Sequence, residues 1–352
     1  MAKHRILIVD DAVVIRRLLS DELAADPALE IVGTAANGKI ALAKLPQINP
    51  DLVILDIEMP ELDGLATLRE LRKTHPKLPV VMFSSLTERG AEATLDALAA
   101  GATDYFPKPT STSGPEACLE VVRTRLIPKI KALCAATAPR PLPGLSPGTL
   151  PVLSRRPQAA IDVVVIGTST GGPNALAAIL PRLPADFPVP VLIVQHMPPM
   201  FTRLLAERLS AQGPLRVQEA ISGQALLPGQ AWIAPGDYHL CVFRDGTQVK
   251  LLTHQDPPEN SCRPAADVLL RSVAKTFGPN MLAVILTGMG QDGLRGCQAV
   301  REAGGQVIAQ DEATSVVWGM PGQVAKAGFA DQTLPLDMIA DEIVRRVRAT
   351  AR

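Results

Sequence analysis

Twice along the chain, short runs of Val, Ile and Leu alternate with Ala/Leu/Arg stretches of helical length. Continuous apolar runs bounded by turn residues mark strands buried on both faces, with helices covering them, so the pattern predicts two parallel-sheet α/β domains. In the first, strands are expected at Arg5–Val9, Glu30–Ala35, Leu52–Leu55, Val80–Phe83 and Asp104–Phe106, with helical stretches such as Ala12–Ala25 and Gly64–Lys73 between them. In the second, the strong strand signals are Ile161–Ile166, Val189–Gln195 and Met281–Thr287; Tyr238–Phe243 and the run ending before His254 read as a β-hairpin. Between the halves, Thr137 to Ala160 holds six prolines and two glycines and has neither period, the composition of an extended linker. The predicted organisation is a first domain over 1–125, a helix end and Pro-rich linker over 126–159, and a second domain over 160–352.

Composition narrows the function classes. The 352 residues suit two domains, and 35 basic against 35 acidic side chains leave no electrostatic footprint for nucleic acid. Runs such as Met281–Leu286 fall far short of the ~20 residues that cross a bilayer, so no membrane insertion is expected. The N-terminus leads straight into a strand without a cleavage signal, and the five cysteines are odd in number, with no C-x-x-C pair. A cytoplasmic chain without a disulfide framework or zinc site is expected.

In a doubly wound sheet the functional groups gather beyond the carboxyl ends of the strands. In the first domain those ends carry Asp10 and Asp11, then Asp56, then Ser84, then Lys108. Three carboxylates in one crevice repel, and a hard cation such as Mg²⁺ relieves them through oxygen ligands. The lysine neutralises a transferred phosphoryl group and the serine hydrogen-bonds it. Phosphoryl transfer to Asp56 is the chemistry such a pocket supports. Asp11 taken alone reads as a helix N-cap. The set Ile-Val-Asp10-Asp11, Leu-Asp56-Ile-Glu-Met-Pro-Glu-Leu-Asp-Gly, Phe-Ser84-Ser and Tyr105-Phe-Pro-Lys108-Pro resembles the response-regulator receiver domains over 3–125. The resemblance implies a flavodoxin-like five-stranded parallel sheet, Asp56 as phospho-acceptor, and Asp10 and Asp11 as helpers in Mg²⁺ binding. It also implies Lys108 and either Ser84 or Ser85 as phosphoryl contacts, and Tyr105 as the aromatic that repositions on activation.

In the second domain, a strand runs into Gly167-Thr168-Ser169-Thr170-Gly171-Gly172 and then a helix from about Pro173. This fits a G-x-S-x-G nucleophile elbow exposing Ser169, or a phosphate-binding loop at a helix N-terminus, although no lysine follows. A nucleophilic serine needs a base. His4 and His75 belong to the first domain, His239 lies inside a strand, and His254 reads as a surface residue. His196 follows Val189–Gln195 and stands level with Ser169. Asp292, in the exit loop of the third strand, is placed to orient a histidine; its bland alternative is the N-cap of helix Gly293–Ala303. The order Ser, His, Asp differs from that of α/β-hydrolases.

The motifs around Ser169, His196 and Asp292, with Ala-Pro-Gly-Asp-Tyr-His and Ile-Ala-Gln-Asp-Glu-Ala-Thr-Ser-Val-Val-Trp-Gly-Met-Pro, resemble the CheB methylesterases over about 160–348. The family often has His-Arg-Pro-Ser where this chain has Cys262-Arg263-Pro264-Ala265. The resemblance implies a phosphorylation-controlled serine hydrolase on a doubly wound, mainly parallel α/β sheet. Its implied activity is to demethylate glutamate methyl esters and deamidate glutamines on methyl-accepting chemotaxis receptors. It makes Ser169 the nucleophile, His196 the general base and Asp292 the orienting acid, with the Met289 N–H a candidate oxyanion donor. A CheA-type histidine kinase is the implied phosphodonor, and the hydrolase reaction is expected to need no cofactor. Arg263 is a candidate contact for an acidic substrate or a cap of its own helix; Trp232 and Trp318 are expected to pack. The competing reading is a non-enzymatic regulator whose second domain binds an effector at its glycine-rich loop.

Overall fold

A computed structural model describes residues 3–108, 114–137 and 159–350, and the chain divides into two compact units, Met1–Thr137 and Ala138–Arg352. Most of the expected Pro-rich linker lies outside the described residues.

The first unit carries β1 (His4–Val9), β2 (Leu29–Ala35), β3 (Leu52–Asp56), β4 (Val80–Ser84) and β5 (Asp104–Pro107). They pair parallel in the order β2-β1-β3-β4-β5, the flavodoxin-like order expected. Residues Ile6–Val9, Leu52–Leu55 and Val80–Phe83 are all buried, which explains why these runs lack polar alternation. Helices begin where short polar side chains close their first turn. Asn37 accepts from the Ile40 N–H, Asp63 from Ala66 and Thr87 from Gly90. Ile127–Thr137, expected at the head of the linker, is helical and belongs to this unit.

The second unit carries β6 (Val163–Thr168), β7 (Val191–Gln195), β8 (Arg216–Glu219), β9 (Gln230–Ile233), β10 (His239–Asp245), β11 (Gln248–His254), β12 (Met281–Ile285), β13 (Gln306–Gln310) and β14 (Gln332–Leu334). Seven strands form one parallel sheet, β14-β13-β12-β6-β7-β9-β8, and β10–β11 is a separate antiparallel hairpin. The chain starts in the middle with β6, builds one flank from β7, β9 and β8, and returns to build the other from β12, β13 and β14. The switch point between β6 and β12 is where such sheets open a crevice. One face packs helix Ala266–Phe277 through Leu269, Leu270 and Val273 onto Val163, Val165, Ala283 and Ile285. Among the described residues no helix is long and apolar enough to cross a membrane.

Candidate active site

The first unit's polar residues meet at the strand ends as the sequence predicts. Asp10, Asp11 and Asp56 place carboxylate oxygens within 4.8 Å of one another, with Asp10 and Asp56 buried and Asp11 exposed. Lys108 Nζ stands 2.9 Å from Asp10 Oδ2 and 2.8 Å from Asp56 Oδ2. No other donor reaches those two buried oxygens among the described residues. Burial pushes the Asp56 carboxyl up to about 6, against the pull of Lys108. Burial also opposes charge on Lys108, but Asp56 and Asp10 hold it above the usual lysine value. Asp11 does not cap the following helix, whose N-cap is Ala12; Asp10 Oδ1 accepts the Ala12 N–H instead. Ser84 ends β4 and its buried hydroxyl accepts from Thr94 Oγ1 at 2.8 Å, whereas Ser85 Oγ pairs with Thr87 Oγ1. Tyr105 is buried, and burial raises its hydroxyl well above the ordinary tyrosine value.

In the second unit, three neighbouring strands deliver Asp292, Ser169 and His196. The ladder continues past the strand ends: the Ser169 N–H donates to Thr287 O at 3.1 Å, and the His196 N–H to Thr168 O at 3.2 Å. The turn is tight. Gly171 has φ +79°, and a Cβ on Gly172 would stand 2.0 Å from Gln195 Oε1. A Cβ on Gly288 would stand 2.9 Å from that of Ser169, so the 288–293 loop lies against the serine. In this loop the Met289 N–H makes no hydrogen bond among the described residues.

His196 Nε2 lies 2.7 Å from Asp292 Oδ2. Asp292 is 2% exposed and its oxygens also accept the N–H groups of Ala266 (2.6 Å), Asp267 (3.0 Å) and Gly293 (3.0 Å). Asp292 is therefore not the N-cap of the helix that follows it, where Gly293 takes that place without a side-chain bond; its oxygens instead accept the first N–H groups of helix Ala266–Phe277. Burial opposes its charge, yet His196 and these N–H groups hold its carboxyl below the usual range. Burial likewise opposes charge on His196, but Cys262 and Asp292 carry it up to about 10.

Other candidates fall elsewhere. The Arg263 guanidinium donates to Asp237 Oδ1 and to the carbonyls of Gln255 and Asp256, so it clamps its own loop and caps no helix. His254 is only partly exposed and faces Cys241 and Asp256; His239 is buried, accepting from the Ala265 N–H. Trp232 is 1% exposed, and Trp318 Nε1 donates to Gln310 O.

Family comparison decides what this geometry belongs to. Residues 164–343 match the model of the CheB methylesterases and residues 6–117 that of response regulator receiver domains. The chain belongs to the CheB methylesterase family. A protein-glutamate methylesterase/protein-glutamine glutaminase of Trichodesmium erythraeum is 53% identical over 352 residues, covering 99% of this chain and 100% of that one. One from a Nocardioides species is 52% identical over 355 residues, covering 97% and 95%. The crystal structure of the Thermotoga maritima CheB methylesterase catalytic domain matches at 44% identity and a TM-score of 0.52, covering 53% of this chain and 99% of that one.

Three further residues at this CheB site were given no role by the sequence. Gln195 Nε2 donates to Ser169 O at 3.0 Å, tying the base strand to the elbow. Asn260 Nδ2 donates to Asp267 Oδ2 at 2.9 Å and to Asp292 Oδ1 at 3.0 Å. Cys262 Sγ lies 3.5 Å from His196 Nδ1. Gln195 was legible as the neighbour of His196; Asn260 and Cys262 sit in a loop whose path only the fold reveals.

Proposed function

We propose that the chain is a protein-glutamate methylesterase and protein-glutamine deamidase in which Ser169 is the nucleophile, His196 the general base and Asp292 the orienting acid. The observation that carries this is the 2.7 Å contact between His196 and Asp292 at the ends of strands flanking the one that presents Ser169. With Nε2 on Asp292, Nδ1 is the nitrogen that takes the Ser169 proton. Ser169 Oγ then attacks the side-chain carbonyl of a methylated receptor glutamate and the C–O bond to methanol breaks, His196 returning the proton. Water hydrolyses the acyl-serine to free carboxylate. A glutamine amide follows the same course with ammonia leaving. The Met289 N–H, unbonded among the described residues, is the donor for the developing oxyanion, a contribution of about 3–4 kcal/mol to the barrier.

Asp56 receives the phosphoryl group from a CheA-type histidine kinase, and the receiver controls the hydrolase. Asp10, Asp11 and Asp56 would hold Mg²⁺, a fit supported by the acceptor-only oxygens that converge there. Bound Mg²⁺ supplies charge neutralisation for phosphoryl transfer. Lys108 and Ser84 are the phosphoryl contacts and Tyr105 the aromatic switch. The enzyme works in the cytoplasm, a reading supported by five free cysteines. The test is methanol release from methylated receptor membranes with and without a small-molecule phosphodonor. Release that the donor enhances and Ser169→Ala abolishes is expected; release by the alanine variant at the wild-type rate sinks the assignment.

A further inference from the structure

His196 is held at both ring nitrogens. Nε2 meets Asp292 Oδ2 at 2.7 Å, and Nδ1 meets Cys262 Sγ at 3.5 Å. An ionised carboxylate only accepts, so Nε2 carries a hydrogen and Nδ1 is left as the basic nitrogen. The sulfur therefore occupies the one nitrogen that Ser169 needs. We infer that Cys262 is a positioning residue of the hydrolase: its sulfur engages His196 Nδ1 at rest, sets how readily that nitrogen accepts the Ser169 proton, and when capped shuts the reaction down. This rests on the reading of His196 as the base.

The backbone that carries the sulfur is held from both sides. The Cys262 N–H donates to Glu259 O at 2.9 Å and its carbonyl accepts from the Glu259 N–H at 3.1 Å. On one side Arg263 is locked to Asp237, and on the other Asn260 is bonded to Asp267 and Asp292. Cys118, Cys134 and Cys297 are buried, whereas Cys262 and Cys241 are partly exposed. Cys241 lies on the hairpin, 3.4 Å from His254.

Among the described residues, two titratable groups face the imidazole, Asp292 from the loop after β12 and Cys262 from the loop before helix Ala266–Phe277. Asp292 in turn acts electrostatically on Asp267 and Glu259. Asp292 and a thiolate at Cys262 both favour the protonated ring, against its burial. Removing the sulfur lowers the proton affinity of Nδ1 and makes the base available at lower pH.

The experiment follows Ser169 labelling of the full-length protein by a fluorophosphonate from pH 5 to 10, in wild type, Cys262→Ser and Cys262→Ala. The acid limb is expected to move down by about one pH unit or more in both variants, the size of effect a neighbouring charge exerts. A purely structural role would not move it. In parallel, wild type is treated with methyl methanethiosulfonate. The Cys262 thiolate attacks the divalent sulfur, a methyl disulfide forms, and methanesulfinate leaves with the electron pair. Labelling should fall at least tenfold and return with dithiothreitol, while treated Cys262→Ser keeps its untreated rate. The inference is overturned if the three proteins share one acid limb, if wild type shown by mass to be methylthiolated at Cys262 labels normally, or if treated Cys262→Ser loses labelling too. Wild type that never labels sinks the serine–histidine reading itself, and the inference with it.

Discussion

Asp292 and His196 share a hydrogen bond of 2.7 Å through an oxygen that also receives the Ala266 N–H at 2.6 Å. One carboxylate thus aims the imidazole and closes the N-terminus of a buried helix, and the two tasks separate by substitution. Asp292→Asn keeps the size and one acceptor but presents the wrong partner to Nε2, so kcat should fall about 10³–10⁴-fold. Asp292→Ala should lose the same activity and also about 1–3 kcal/mol of stability, because the N–H groups of Ala266 and Asp267 lose their acceptor. Methanol release and denaturant unfolding of both variants measure the difference. Equal stability of the two would deny the capping role.

The 288–293 loop is pressed against the elbow. A Cβ on Gly288 would stand 2.4 Å from Met320 Sδ and 2.9 Å from Ser169 Cβ, whereas a Cβ on Gly246 in the hairpin turn meets nothing within 4 Å. Gly288→Ala should therefore cut serine labelling more than tenfold, since small displacements of a reacting atom are costly. Gly246→Ala, strained by its φ of +59° but remote, should lose roughly 1 kcal/mol of stability and no labelling. Comparable labelling by the two would remove the loop from the site.

Gln195 offers a milder test. Its amide holds the Ser169 carbonyl at 3.0 Å, so Gln195→Met should keep the packing and lose that bond. A fall in kcat of about 10–100-fold with KM unchanged is expected, corresponding to one buried hydrogen bond of roughly 1–3 kcal/mol. An unchanged kcat would make the bond incidental.

For Asp56 the sign follows from burial. Its carboxyl titrates near 6 when folded against about 4 in an unfolded chain, so the folded state binds more protons between those values. Its contribution to stability is therefore most favourable below about pH 4 and is lost as pH rises through 6. In EDTA, the receiver transition should lose on the order of 2 kcal/mol between pH 4 and 7 relative to Asp56→Asn. Calorimetry of full-length wild type and variant at both pH values checks this; parallel losses would refute it. Adding Mg²⁺ at pH 7 should raise the wild-type transition and leave the Asn variant less affected.

Much of the fold was legible because both sheets are parallel and buried on both faces, which leaves strands as unbroken apolar runs. Asp10, Asp56, Ser84, Ser169 and His196 could be found because each stands at or just past the end of such a run. The short strands β8, β9 and β14, only three or four residues long, give no period to read. Asn260 and Cys262 were illegible for a different reason. They reach Asp292 and His196 across 32 and 66 residues of chain, on a loop that no periodicity describes. Arg263 could not be assigned because its partners, Asp237 and two carbonyls, are also loop atoms.

The order in which the second sheet is built has a bearing on biosynthesis. The sheet opens with β6 at its centre and must wait for β12, more than a hundred residues later, before Ser169 gains the carbonyl of Thr287 and His196 gains Asp292. Thr287 in turn donates to Gln310 at the end of β13. Contacts of such long sequence separation form slowly and late. A nascent chain therefore lacks both contacts until the far flank of the sheet has closed.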